Sequence, residues 1–197
     1  MHRVAFLFLL LLFSSCEEQK DPPAEKPHSQ KKEKPEDQPL LQYKIISERK
    51  PVTLTDDSLK REVDRWLAAS HEFSIDSLTD FLLDVSEEKL TFTFDKCTSD
   101  PNKLLKHPKA NCIGYAAFFN SLMNYALKKK KLTHKFSCRH YVGKIYFDGN
   151  NVNAWFNDPF FKDHDFAVIH DLKTGEDIAV DPSLFDYLGV RRVQLRK

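Results

Sequence analysis

Three residues of types that together perform nucleophilic acyl chemistry stand at informative places in this chain: the thiol of Cys112, the imidazole of His164 and the carboxylate of Asp181. Cys112 opens the run NCIGYAAFFNSLMNYALKKK, where apolar residues return at helical spacing nearly all round. That pattern predicts a largely buried helix with Cys112 in its first turn. A thiol there faces unpaired backbone N–H groups and the positive end of the helix dipole, which favours the thiolate. The same N–H groups are placed to receive an oxyanion. A structural cysteine gains nothing from such a position.

A thiolate nucleophile needs a base, and the base needs an orienting group. HDFAVIHD and EDIAVDPS read as strands, and LKTG between them reads as a hairpin connection. With the turn near Lys173, Asp181 falls opposite a residue within about two places of His164, and a diagonal neighbour at roughly 7 Å is within reach of both side chains. His170 faces the region of Gly175 to Asp177 instead, about 13 to 20 Å from Asp181 at the usual strand rise. His164 is therefore the expected base. Pro182 ends the ladder just after Asp181, which leaves the carboxylate at a strand end where a site can open. His134, His140 and His170 are read as structural or exposed.

Several elements must position these groups. TLTDDSLKREVDRWLAAS predicts a helix capped by Thr55, with Leu59, Val63, Trp66 and Leu67 on one face. A second helix is expected from Ile75 to Val85, a short strand in KLTFTF and a loop from Pro101 to Lys109. Lys135 to Phe147 alternates as a strand of an antiparallel sheet, and DGNN after it is a turn. Helices first and antiparallel strands after make an α+β fold.

The blocks NCIGYAAFFNSLM, HDFAVI and VDPS resemble, in order, the cysteine helix, the histidine strand and the DP(S/T) strand of the transglutaminase-like superfamily. The resemblance covers Asn111 to Ser183. It implies a papain-like fold in which a helical N-terminal part and the cysteine helix pack on an antiparallel sheet. It also implies that Cys112 is the nucleophile, His164 the general base and acid, and Asp181 the group that orients the imidazole. Phe166 stands where the family usually has Trp, and Ala110-Asn111 precede the cysteine where Gly is frequent. Asn111 is the candidate oxyanion donor by its proximity, and Trp155 in NAWFNDPFF is a candidate to line the substrate cleft. The implied chemistry is attack on a peptide or other amide to form a thioester, released by water or by a second amine. Because bacterial members look mostly hydrolytic, the expectation is a cysteine peptidase or amidase that requires no cofactor. The alternative is an inactive module that keeps the fold as a binding surface within an envelope complex.

The N-terminus bears on the compartment. Met1-His2-Arg3 is basic and VAFLFLLLLF is an uncharged stretch too short for a comfortable membrane span, so residues 1–15 are expected to be an export signal. FSSC resembles the lipobox of bacterial lipoproteins, which makes Cys16 the lipidated N-terminus of a protein held on a membrane of the cell envelope, at a periplasmic face or the cell surface. Glu17 to Pro39 holds no large aliphatic or aromatic side chain, so 16–39 is expected to be a disordered tether and 40–197 the domain. Of the 4 cysteines, Cys97, Cys112 and Cys138 then remain in an oxidising compartment, an odd number. Cys97 in the loop-like DKCTSDPNK is expected to pair with Cys138, leaving Cys112 free.

Charge offers no nucleic-acid footprint: the net is +1 with acids and bases interspersed, and LKKKKLTHK reads as a solvated helix end. SCRH sets Cys138 and His140 on one strand face, with no companion pair to complete a tetrahedral set, so no metal site is expected.

Overall fold

The apolar periodicities resolve into helices over the first half of the domain and strands over the second. The computed structural model describes residues 41–70 and 73–196, which lie in one unit running from Asp37 to Lys197. The expected signal, the expected lipid site Cys16, the whole of the expected tether and its boundary fall outside the described residues.

Helix α1, Asp57–Ala69, buries Leu59, Val63 and Leu67. Its cap is Asp56 rather than Thr55: the Asp56 carboxylate accepts from the Ser58 and Leu59 N–H groups, at 2.9 and 3.0 Å. A carboxylate satisfies two orphan amides and meets the helix dipole, which a hydroxyl at Thr55 does not. Helix α2 runs Ile75–Lys89, a turn further than expected, from a Ser74 cap. The expected loop before the cysteine contains a short helix, α3, Pro101–Leu104.

Helix α4, Cys112–Lys129, is the centre of the molecule. Tyr115, Phe118, Phe119, Leu122 and Met123 are fully buried. It packs against α1, α2, and two strands of the sheet, and this surround is why its apolar residues run all round it.

The sheet joins β1, Leu41–Glu48, β4, Phe136–Phe147, β5, Asn150–Asn151, β6, His164–Asp171, β7, Asp177–Val180 and β8, Gln194–Leu195. Its order is β7-β6-β4-β1-β8, with β5 folded back on β4. All pairs are antiparallel except β1 with β8. A bridge from Ala179 to Val193 ties β7 to the chain entering β8, so the two edges meet and the sheet curls into a small barrel. Tyr43, Tyr141, Phe166, Val168, Ala179 and Val193 fill its inside. Cys138, Ala167, Ile169 and Val180 face outward into the cluster around α4. Covered on both faces, β6 is buried without a break from Asp165 to Ile169.

Two further strands, β2, Thr91–Phe92 and β3, Lys109–Ala110, form a separate parallel pair. Helix α5, Pro182–Leu188, follows β7 directly, with Asp181 as its cap and Pro182 in its first turn. With five α-helices among the described residues and a mostly antiparallel sheet, the fold is α+β.

Candidate active site

Cys112 is the first residue of α4 and is 7% exposed. Asn111 ahead of it is the helix cap, its side-chain oxygen accepting from the Gly114 N–H at 3.3 Å. An amide oxygen only accepts, so any donation from Asn111 to a ligand comes from its amide nitrogen. The pairing of Phe92 with Ala110 holds the chain as it enters the helix.

His164 is the first residue of β6, with its side chain 20% exposed. It pairs with Gly143 on β4. A Cβ on Gly143 would lie 2.7 Å from both the Lys44 carbonyl oxygen and the Phe166 ring, so only glycine lets β1 and that ring close in beneath the histidine. The β6–β7 register pairs Ala167 with Val180, which carries Asp181 one step on and diagonally across from His164. His170, as its position implied, pairs with Asp177 and bonds it at 2.6 Å.

The His164 Nε2 lies 2.6 Å from Asp181 Oδ2. The Tyr43 hydroxyl donates to the same oxygen at 2.7 Å. Oδ1 takes the Ser183 hydroxyl at 2.7 Å and the Ser183 and Leu184 N–H groups at 3.1 and 3.0 Å. Five donors thus fix a carboxylate that is 1% exposed.

With Nε2 on Asp181, Nδ1 is the ring nitrogen left for Cys112, which lies within electrostatic range of the imidazole. Burial works against a charged imidazole, but the Asp181 carboxylate and then the Cys112 sulfur outweigh it and hold the His164 pKa well above its ordinary value. Burial likewise opposes ionisation of Asp181, and the His164 charge with the hydrogen bonds from His164, Tyr43 and Ser183 brings its pKa below the usual carboxylate value. Tyr43 is held far above the usual phenol range by burial and by the Asp181 charge, so its hydroxyl is a permanent donor. The arrangement suits an imidazolium beside the Cys112 sulfur with a fixed counter-charge behind it.

A second polar group lies beside the first. His164 and Asp165 alternate on the strand, and Asp165, 1% exposed, turns to the α4 side. There it accepts from the Arg49 Nε and Nη2 and bonds His140 Nε2 at 2.8 Å. The Arg49 N–H donates to the His140 carbonyl at 2.8 Å, which pins the end of β1 to β4. The Arg49 guanidinium, half-exposed, has its pKa raised by its bonds to Asp165, against some burial, and by the charges of Asp165, Asp163 and Cys112. It therefore sits within electrostatic range of the thiol. Sequence reasoning missed Tyr43, Arg49 and Asp165, and read His140 only as structural or exposed. The alternation in HDF was the one available signal, because it turns Asp165 to the buried face where a carboxylate must find cations.

The expected bridge between Cys97 and Cys138 is not formed, and both are free thiols. The Thr98 carbonyl, next to Cys97, lies 3.4 Å from where a Gly114 Cβ would be, near the start of α4. Cys138 takes the Asn120 amide at 3.4 Å, six residues further along the helix, so the two thiols are held by different turns of α4. Burial pushes the Cys138 thiol up to about 12.

Trp155, 49% exposed, ends a short turn in the loop that leads into β6. Among the described residues no three metal-ligating side chains gather to hold an ion. An open cavity lined by Lys44, Asp76, Asp171, Asp177 and Arg196 holds none of Cys112, His164 and Asp181. Compared with family models, curated proteins and solved structures, the chain matches none.

Proposed function

We propose that this protein is a cysteine peptidase or amidase of the transglutaminase-like superfamily, with a papain-like fold, anchored by a lipid on Cys16 to a membrane of the bacterial cell envelope. The observation that carries the reading is the His164 ring, bonded through Nε2 to the buried Asp181 carboxylate at 2.6 Å, with Cys112 at the start of α4 within electrostatic range of it.

In this reading the Cys112 proton moves to His164 and the thiolate attacks an amide carbonyl carbon, forming a C–S bond and an oxyanion. The N–H groups of the first turn of α4 and the Asn111 amide nitrogen are the donors near that oxygen. As the intermediate collapses the C–N bond breaks, and the imidazolium gives its proton to the leaving amine. His164 then takes a proton from water, whose oxygen attacks the thioester. The C–S bond breaks, the acid leaves and the thiol is restored. Asp181, fixed by its other donors, keeps the ring oriented throughout.

Alkylation of each cysteine by iodoacetamide across pH, in the folded domain and in His164→Ala, tests the site. Cys112 is expected to react fast down to about pH 6 and to lose that rate without His164. Slow reaction titrating near pH 8.5, as for a free thiol, would hand the reading to the inactive binding module. Peptide mixtures digested by wild type and by Cys112→Ala test turnover. Incorporation of labelled palmitate, lost in Cys16→Ala, tests the anchor.

A further inference from the structure

A band of aromatic rings joins the two segments that deliver Cys112 and His164. Phe92 pairs with Ala110, and the Thr93 N–H donates to the Ala110 carbonyl at 2.8 Å. Phe94 follows that pairing by two residues, as Cys112 follows Ala110 by two, so each is within about 7 Å of chain from the paired residues. Phe160 and Phe161 precede His164 by four and three residues, within about 14 Å of chain. The Phe94 ring lies 5.7 Å from Phe160 and 5.8 Å from Phe161, edge-on or tilted, and Phe161 lies 4.8 Å from Phe156.

This band is held in place from behind. Asn153, buried, takes the Ile145 N–H at 2.7 Å and donates to the Phe161 carbonyl at 2.8 Å, which moors the loop to β4. The Lys144 and Lys162 ammonium groups bond the Lys162 and Phe156 carbonyls. Phe92 stands edge-on to Tyr187 of α5 at 5.0 Å. Yet Phe94 is 42% exposed, and Phe156, Phe160 and Phe161 are only half-buried. Apolar rings fixed by polar moorings and left wet, on the segments that lead into Cys112 and His164, form a surface built to be covered.

We propose that Phe94, Phe156, Phe160 and Phe161 form a subsite for an aromatic or large aliphatic side chain of the substrate, on the acyl part that becomes attached to Cys112. The occupant follows from the topology: a chain bonded to the Cys112 sulfur and within reach of His164 passes over the rings that bridge the two segments. This rests on the acyl-transfer reading, and it names the substrate class that reading leaves open.

The test compares chloroacetamide with N-benzylchloroacetamide at Cys112, each normalised to its rate with glutathione. In both the thiolate forms a C–S bond as the C–Cl bond breaks and chloride leaves, so no turnover is required. Wild type is expected to favour the benzyl reagent by about tenfold or more, falling below about threefold in Phe94→Ala and in Phe160→Ala. Leu172→Ala, 54% exposed on the hairpin remote from the site, is the control that keeps the wild-type ratio. Saturation-transfer NMR with N-acetylphenylalaninamide against N-acetylalaninamide reads the subsite without a reactive thiol or any variant. Phenyl-selective binding with a sluggish Cys112 upholds the subsite and sinks the peptidase. A benzyl ratio near one together with no phenyl-selective binding overturns the subsite, whatever the peptide digests show. So does a ratio unchanged in both variants while Phe94→Ala loses binding to phosphatidylglycerol vesicles, which would make the band a membrane contact.

Discussion

The Tyr43 hydroxyl and the Asp181 carboxylate, 138 residues apart, meet at 2.7 Å inside the barrel. Tyr43 is fully buried, and its ring lies 5.9 Å from that of His164 in an edge contact. The first strand of the domain thus supports the carboxylate that its seventh strand delivers, and one phenol touches both that carboxylate and the His164 ring.

Tyr43→Phe removes this one hydrogen bond and keeps the ring. We expect a fall of about tenfold in kcat/KM on a cleaved peptide and a stability loss of about 1 kcal/mol. Tyr43 acts through Asp181, so the histidine NMR titration of the variant is expected to shift His164 as well. A change in melting temperature with an unmoved His164 would reduce Tyr43 to a packing residue.

Asp181 caps α5 and also orients His164, and two substitutions separate these roles. Asp181→Asn keeps an oxygen for the cap but removes the charge and the acceptor that His164 and Tyr43 share, so the His164 pKa is expected to drop and stability to fall by about 2 kcal/mol. Asp181→Ala loses the cap too, at a further cost of about 1 kcal/mol. Denaturation midpoints and a histidine titration on the same samples read both quantities.

The shifts of this pair imply opposite pH dependences. The folded pKa of His164 lies above its ordinary 6.5, so its contribution to stability is complete below that value and is lost as pH rises through the folded one. Asp181 lies below its ordinary 3.8, so its contribution is present above that value and is lost as pH falls through the folded one. Urea midpoints of wild type and His164→Gln are expected to differ most near pH 6 and to converge in alkali. A gap that widens with pH would contradict the raised His164.

Asp165 holds Arg49 and His140 from a position that is 1% exposed. Asp165→Ala is expected to cost about 3 kcal/mol because it strands both partners. Arg49→Gln acts at a half-exposed group and is expected to cost about 1 kcal/mol. Equal losses on chemical denaturation would show that the buried carboxylate is not the shared anchor.

With Cys138 raised to about 12 and bonded to Asn120 in the core, it is expected to resist alkylation until the domain unfolds. Mass spectrometry after oxidation is expected to show no Cys97–Cys138 bridge in folded protein. A native bridge at that pair would refute the packing of β4 on α4 described above.

The local placement of the candidate residues was legible in the sequence itself. Helical spacing after Asn111 placed Cys112 at a helix start, and the length of the LKTG hairpin set the register that brings Asp181 to His164 rather than to His170. These are short-range patterns, governed by backbone period and turn length, which one stretch of chain carries alone. The Thr55 cap, the loop before Cys112 and the disulfide were each misread where neighbouring or distant groups compete: Asp56 outbids Thr55 for the same amides, and Cys138 belongs to the packing of α4 on β4. Barrel closure, Tyr43 behind Asp181, the Arg49–Asp165–His140 group and the aromatic band were decided only by tertiary structure. Each joins residues from separate elements, and β1 shows why no pattern announced it: among its residues only Tyr43 is fully buried, so its strand period is nearly silent. Side-chain pairs across a curled sheet depend on which edges meet, and that is a property of the whole chain's packing rather than of any segment.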